Sequence, residues 1–140
     1  MALPATVGVT INFSDGPAYA QAMILDQGLL GTNVLANSAA IIIDYSAQTT
    51  QIATRRARDL INDIYNTGSA SVKILDPNGD FNPTNTLSPI YGFVKPLRKI
   101  QITATYGATT YSLFSGYISE YRYTYPVGQE IGYVTVQAFD

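Results

Sequence analysis

The stretch that most constrains the fold of this chain is a short apolar strand that runs directly into a five-residue turn. The strand is VKIL, residues 72–75, and the turn is DPNGD, residues 76–80. Pro77 fixes its own φ and has no N–H to donate to a sheet, Asn78 tolerates positive φ, and Gly79 adopts it at no steric cost. Phe81 then gives the turn a large apolar anchor. This order predicts a β-strand, a fixed turn, and later segments that pack back onto the strand.

Chain length and composition predict one folded domain, residues 1–140. The chain has 140 residues, of which 46% are hydrophobic and 13% are charged, so it can bury a core and is not disordered by composition. Its formal net charge is −2. A general binder of phosphate backbones needs a basic face, so this class of function is disfavoured.

The absence of two residue types also limits the kinds of functional site that the chain can form. The chain contains no Cys and no His. Disulfides, thiolate metal sites and Ser-His-Asp or Cys-His catalytic sites therefore cannot be built from it. We predict no enzymatic activity, no metal and no cofactor. No apolar run approaches the length of a transmembrane helix, and the N-terminus lacks the positive region of a signal peptide.

Apolar and polar residues alternate with a period of two over most of the chain, which is typical of β-strands. The pattern predicts strands over residues 6–13, 98–106, 109–114, 117–125 and 131–139, with residues 98–114 forming a hairpin and a bulge or bend at 115–116. Weaker patterns predict a strand at 21–26, an ordered loop at 27–37, and at 40–45 a strand covered on both faces. Residues 48–58 favour a strand, and the spacing of apolar residues over 59–65 predicts a short helix. The expected fold is a mainly antiparallel β-sandwich or barrel with one short helix.

A loop rich in proline and glycine is predicted over residues 85–96. Its expected anchors are Leu87, Ile90, Tyr91 and Phe93. These residues are candidates for contacts between subunits.

Three patterns of oxygen-bearing or charged residues are candidate sites. Asp76, Asn78 and Asp80 have the spacing of the first ligands of a calcium loop, but the residue at the twelfth position is Leu87 instead of Glu. We therefore favour a proline-led turn without an ion. The only two glutamates, Glu120 and Glu130, give almost no indication of a glycosidase pair. The cluster Arg55, Arg56 and Arg58 could contact nucleic acid, but beside aspartates in an acidic chain it is more typical of a solvated or ion-paired face.

Tyrosine is the most distinctive residue type, with eleven copies in the chain. A regular strand would place Tyr117, Tyr121, Tyr123 and Tyr125 on one face. If that face is buried, the rings are core, which is the interpretation that we favour. If it is exposed, the rings form a surface suited to subunit contacts or to stacking of sugars. Apolar residues on both faces of the last strand suggest that a neighbouring subunit covers one of them.

Motifs in the second half of the chain resemble a known family. They are G-x-A-x-V-x-I-L at residues 68–75, NGDFNP at 78–83, SPIY at 88–91, KPLRKI at 95–100, LFSGYI at 113–118 and VTVQAFD at 134–140. In order and spacing they resemble the N-terminal domain of tail-tip hub and minor tail proteins of long-tailed bacteriophages.

The resemblance implies a tail-tube-like β-domain that assembles into a ring. Such a ring continues the DNA channel at the end of the tail tube and joins the tube to the parts that recognise the host. The implied protein is a virion component, made in the host cytoplasm, a trimer or a hexamer, with other tail proteins as partners and DNA only in transit. The alternative that we consider is a monomeric carbohydrate-binding β-module that uses an exposed tyrosine face.

Overall fold

A computed structural model of the chain describes residues 5–14, 41–59, 64–128 and 130–140. Seven β-strands are present in these ranges: β1 (Thr6–Asn12), β2 (Ile42–Asp44), β3 (Thr49–Asp59), β4 (Ile64–Leu75), β5 (Lys99–Tyr106), β6 (Thr109–Thr124) and β7 (Tyr133–Phe139). No helix occurs in them. The prediction of a mainly β fold is therefore confirmed.

The strands form one sheet with the order β2-β1-β5-β6-β7-β4-β3, and every neighbouring pair is antiparallel. The sheet does not close on itself, since β2 and β3 each pair with only one other described strand. It is thus an open antiparallel sheet, consistent with a sandwich or barrel-like fold. The free side of an edge strand is a template for pairing with another strand.

One face of the sheet carries the hydrophobic core. Because side chains alternate between faces, each strand contributes every second residue to this inner face. The fully buried strand residues are Val9, Ile11, Val72, Ile74, Ile100, Ile102, Phe114, Ile118, Val134 and Val136. The opposite, outer face is mostly polar, with Ser69, Ser71, Lys73, Gln101, Thr103, Glu120, Arg122, Thr135 and Gln137 on neighbouring strands.

The connection between β4 and β5 closes over the inner face. Phe81 and Ile90 from this connection are buried in the core cluster. The ring of Phe81 lies 6.1 Å from that of Phe13 and 5.3 Å from that of Tyr45, measured between centroids. The loop is therefore part of the core, as its apolar anchors predicted, and it is longer than the predicted 85–96.

Strand β6 contains two bulges, which set the direction of its side chains. Pairing with β5 shifts at Leu113, and pairing with β7 shifts at Ser119. A bulge inserts one extra residue, so the residues on either side of it exchange faces. The predicted bulge at residues 115–116 is wrong in position. Gly116 instead lies within a regular part of the strand, where a Cβ would clash with the carbonyl oxygen of Phe139.

The predicted helix at 59–65 is wrong where the structure tests it. Asp59 ends β3, Ile64 begins β4, and these two residues are paired across the hairpin. The hairpin extends beyond the rest of the sheet, because β4 pairs with β7 only from Ser69 onward. Apolar spacing alone did not distinguish a helix from a strand in a segment this short.

Most other predicted strands are confirmed within one or two residues. The strand predicted at 40–45 is β2, but it lies at an edge and Ile42 is 44% exposed, so the expectation that both faces are covered is wrong. The predicted strand at 21–26 and loop at 27–37 lie outside the described residues. Within the described part of the chain, no helix has the length and apolarity needed to cross a membrane.

Candidate functional site

The turn after β4 is fixed by a buried carboxylate. Asp76 is only 5% exposed, and its two carboxylate oxygens accept hydrogen bonds from the backbone N–H groups of Asp80, at 2.8 Å, and Phe81, at 2.9 Å. The backbone N–H of Asp76 donates to the carbonyl oxygen of Gly132 at 2.8 Å. Asp76 therefore ties the turn to the segment that precedes β7.

The rest of the turn is held by polar contacts with the following loop. The Asn85 amide donates to the carbonyl oxygen of Gly79 at 3.0 Å, and the Ser88 hydroxyl donates to that of Asp80 at 2.7 Å. Gly79 has φ +71°, the left-handed conformation that the sequence predicted for it. These hydrogen bonds fix the conformation of the turn.

Asp76, Asn78 and Asp80, which have the spacing of calcium ligands, are residues of this turn. Both oxygens of Asp76 accept hydrogen bonds from backbone N–H groups. Burial and the neighbouring charge of Asp76 raise the pKa of Asp80. Among the described residues there is no group of three or more acidic or other metal-binding side chains.

A cleft of about 460 Å³ lies between this turn and the connection from β6 to β7. It is lined by Asp76, Pro77, Asn78, Gly79, Asn82, Tyr123, Tyr125, Pro126, Glu130, Ile131 and Gly132. The volume is in the range of small-ligand sites. No lysine or arginine is among these lining residues.

Two tyrosines give the cleft its aromatic part. The rings of Tyr123 and Tyr125 are 4.9 Å apart between centroids and nearly perpendicular, with an interplanar angle of 88°. The hydroxyl of Tyr123 lies beside Gly79 and Gly132, and a side chain at Gly132 would crowd it. Desolvation and, after it, the charges of Asp76 and Asp80 raise the pKa of Tyr123.

The predicted tyrosine face is not formed. The bulge at Ser119 places Tyr117 on the outer face, where it is 54% exposed and paired with Phe139. Tyr121 and Tyr123 lie beyond the bulge and pack against the core. The expectation of four rings on one face is thus wrong, whereas the favoured assignment of this stretch to the core is confirmed for these two tyrosines.

Tyr121 is a buried phenol without a hydrogen-bond partner for its hydroxyl among the described contacts. Burial raises its pKa, against the opposing effect of the nearby Arg98 charge. Arg98 itself is 7% exposed and donates to the carbonyl oxygens of Phe93, at 3.1 Å, and Ser14, at 2.6 Å. No pattern in the sequence distinguished this buried arginine from a surface residue.

The predicted loop anchors divide into two pairs. Ile90 is fully buried and Phe93 packs against the core. Leu87 is 93% exposed and Tyr91 is 49% exposed. Only the second pair could contact another molecule without rearrangement.

The remaining candidates do not form a catalytic pair. Glu120 bonds Arg122 on the outer face at 2.8 Å between Oε1 and Nε, whereas Glu130 lines the cleft. Arg55 and Arg56 are exposed on the edge strand β3. Comparison of the sequence with models of protein families gives no match, and no curated protein matches it.

Proposed function

We propose that the chain is a structural subunit of a bacteriophage tail tip or baseplate hub, which assembles into a homo-oligomeric ring around the tail channel. The proposal starts from the sequence motifs of residues 68–140 that resemble such proteins. The structural observation that supports it best is the open sheet, in which each of the two terminal strands has one side that no described strand pairs with.

The two edges are suited to contacts between copies. β3 is eleven residues long and β2 is three residues long, and each has one free side within the described sheet. Pairing of β3 in one copy with the β2 edge of the next would be a heterologous contact, which forms a closed ring when the rotation between copies permits it. Such pairing would cover the β2 edge, which otherwise favours aggregation, together with a segment of equal length on the β3 edge.

The exposed apolar residues supply a second contact. Leu87 and Tyr91 on the loop, Tyr117 on the outer face and Tyr125 beside the cleft are all at least 49% exposed. Large apolar side chains in such positions are typical of surfaces that are covered in an assembly. Ile90, Phe93, Tyr121 and Tyr123 support the interface from the core instead of contacting a neighbour.

The polar outer face fits a channel that lets DNA pass. Its residues are largely uncharged, and its charged residues have both signs, as in the Arg122–Glu120 pair. A surface of this kind does not hold a phosphate backbone, since affinity for DNA depends on clustered positive charge.

The mass of the purified chain in solution tests the proposal. Light scattering and native mass spectrometry should give one discrete trimer or hexamer, and electron microscopy should show an annular particle. Leu87→Asp should lower the assembled fraction. Leu97→Asp is the matched control, because Leu97 is a 75% exposed leucine of the same loop that is not among the proposed contacts.

A monomer at all concentrations would contradict the proposed self-assembly. An equal effect of the two aspartate variants would show that Leu87 has no special part in the contact. The carbohydrate-module alternative would need a different surface from the one predicted, since the four tyrosines do not share a face.

A further inference from the structure

The edge strand β3 is regular over only part of its length. Its pairing with β4 shifts register between Thr49 and Gln51 and again between Arg55 and Ala57. Such shifts bend a strand and disrupt the spacing of its backbone N–H and C=O groups, which keeps an edge from pairing with other strands. The segment between the two shifts, residues 51–55, remains regular. Another strand can therefore pair in register only with this segment.

The other edge strand, β2, is short enough to fit between the two shifts. It has three residues, and its free side lies at the opposite end of the described sheet from that of β3. A copy of β2 from a second chain could thus pair along its whole length with residues 51–55. The question is which of its residues would lie opposite which residues of β3.

The direction of the side chains limits the possible registers. Ile43 is paired with the buried Ile11, which places it on the inner face of the sheet. Ile52 is on the same face, because it is paired with the buried Val72. A slip of one residue would turn every side chain of β2 to the wrong face. Within the regular segment, Ile43 can therefore lie opposite only Ile52 or Thr54.

Ile52 is the better partner for Ile43. Both isoleucines pack against the core of their own chain but are only partly buried there, and opposite each other they would cover each other's remaining apolar surface. The same antiparallel register places Ile42, which is 44% exposed, beside Ala53. Opposite Thr54, Ile43 would instead meet an exposed residue that bears a hydroxyl group.

We propose that β2 of one copy pairs antiparallel with β3 of the next, with Ile43 opposite Ile52 and Ile42 opposite Ala53. The antiparallel direction continues that of every described pair in the sheet. This contact rests on the ring assembly proposed above, and it specifies which residues join one copy to the next. The two partly buried isoleucines make the cores of neighbouring copies continuous.

Disulfide trapping between copies tests this register. The chain has no cysteine, so each variant carries a single introduced thiol. A chain with Ile42→Cys is produced together with a chain that carries Ala53→Cys and a different tag, and the assembly is oxidised. Residues directly opposite each other lie within the reach of a disulfide, whereas diagonal neighbours, at about 7–8 Å, do not. We expect a disulfide that joins the two differently tagged chains.

Gln51→Cys and Arg55→Cys are the matched controls for Ala53→Cys, because all three residues are exposed and lie on the outer face of the same segment. Each control should give at least about fivefold less mixed disulfide with Ile42→Cys. A higher yield with Gln51→Cys would indicate parallel strands, and a higher yield with Arg55→Cys would indicate a register shifted by two residues. Either result would overturn the proposal. So would a disulfide between two Ala53→Cys chains, since it would mean that two β3 strands pair with each other.

Native mass spectrometry of the unsubstituted chain separates this contact from the ring itself. A trimer or hexamer whose variants form no mixed disulfide with any of the three positions would leave the ring standing and overturn the β2–β3 contact. A monomer at all concentrations would contradict both proposals. A trimer or hexamer in which only Ile42→Cys and Ala53→Cys are joined would support both.

Discussion

The carboxylate of Asp76 should be among the most important single groups for stability in this chain. Asp76→Ala removes the acceptor for two backbone N–H groups, of which that of Phe81 is buried. A hydrogen bond to a charged acceptor contributes about 1.5–3 kcal/mol, and a buried donor left without a partner carries its full desolvation cost. Water can reach the partly buried N–H of Asp80, so we expect a total loss of about 3–5 kcal/mol, against a typical total stability of about 5–15 kcal/mol.

Asn82→Ala is the matched control for this substitution. The Asn82 side chain also accepts a backbone N–H, that of Thr84 at 3.1 Å, but this bond is exposed and its acceptor is neutral. Its loss should reduce the free energy of unfolding by about 0.5–1 kcal/mol. Asp76→Asn keeps one acceptor oxygen and places an NH₂ group against the other donor, so its effect should lie between the two.

Urea denaturation followed by far-UV circular dichroism and tyrosine fluorescence measures these differences, since the chain has no tryptophan. Asp76→Ala should lower the urea midpoint with an unchanged dependence of the unfolding free energy on urea, and in thermal denaturation it should lower Tm by about 10 °C. A loss equal to that of Asn82→Ala would refute the reasoning, because it would mean that the N–H groups of the turn find other partners at no cost.

Three further predictions follow from the backbone and the buried phenols. Gly116→Ala should reduce the free energy of unfolding by about 2 kcal/mol, since its Cβ meets the Phe139 carbonyl oxygen; an unchanged urea midpoint would contradict this. Leu97→Asn should raise the free energy of unfolding by about 0.5–1 kcal/mol, because the exposed Leu97 has φ 64° and asparagine tolerates this conformation better. A lower urea midpoint would contradict this, because it would mean that the Leu97 side chain makes a stabilising contact. Burial raises the pKa of Tyr45 and Tyr121, so their contribution to stability is complete below the ordinary value of about 10 and declines above it. Ultraviolet titration should show these two tyrosines ionising only with the loss of the circular dichroism signal, and their ionisation before unfolding would refute this.

The period-two pattern predicted most of the sheet because it follows directly from the burial of one face. The turn at residues 76–80 could also be predicted, since proline restricts φ whereas asparagine and glycine permit positive φ at the positions that follow it. The sequence did not show that the Asp76 carboxylate points inward at Phe81. That direction depends on the chain on both sides of the turn.

The bulge at Ser119 is the clearest case in which a pattern was insufficient. A serine on a strand carries no signature of a bulge, yet the extra residue moves Tyr117 and Tyr121 to opposite faces. The same shift brings Tyr123 to the cleft, which no local motif indicated. The edge position of β2 could not be predicted either, because it depends on which strands pair and not on the sequence of β2 itself.

Asn85 positions the exposed Leu87 of the proposed subunit contact, which gives a final prediction. Its amide nitrogen donates to the carbonyl oxygen of Gly79 at 3.0 Å, and its amide oxygen accepts the N–H of Leu87 at 3.1 Å. Asn85→Ala should therefore loosen the loop at Leu87. We expect the assembled fraction to fall about threefold, measured by native mass spectrometry. Asn82→Ala is the control in the same turn, because it removes one hydrogen bond to a backbone N–H, that of Thr84, without a bond to Leu87. An unchanged assembled fraction in Asn85→Ala would contradict the prediction, because the loop would then hold Leu87 in place without the asparagine.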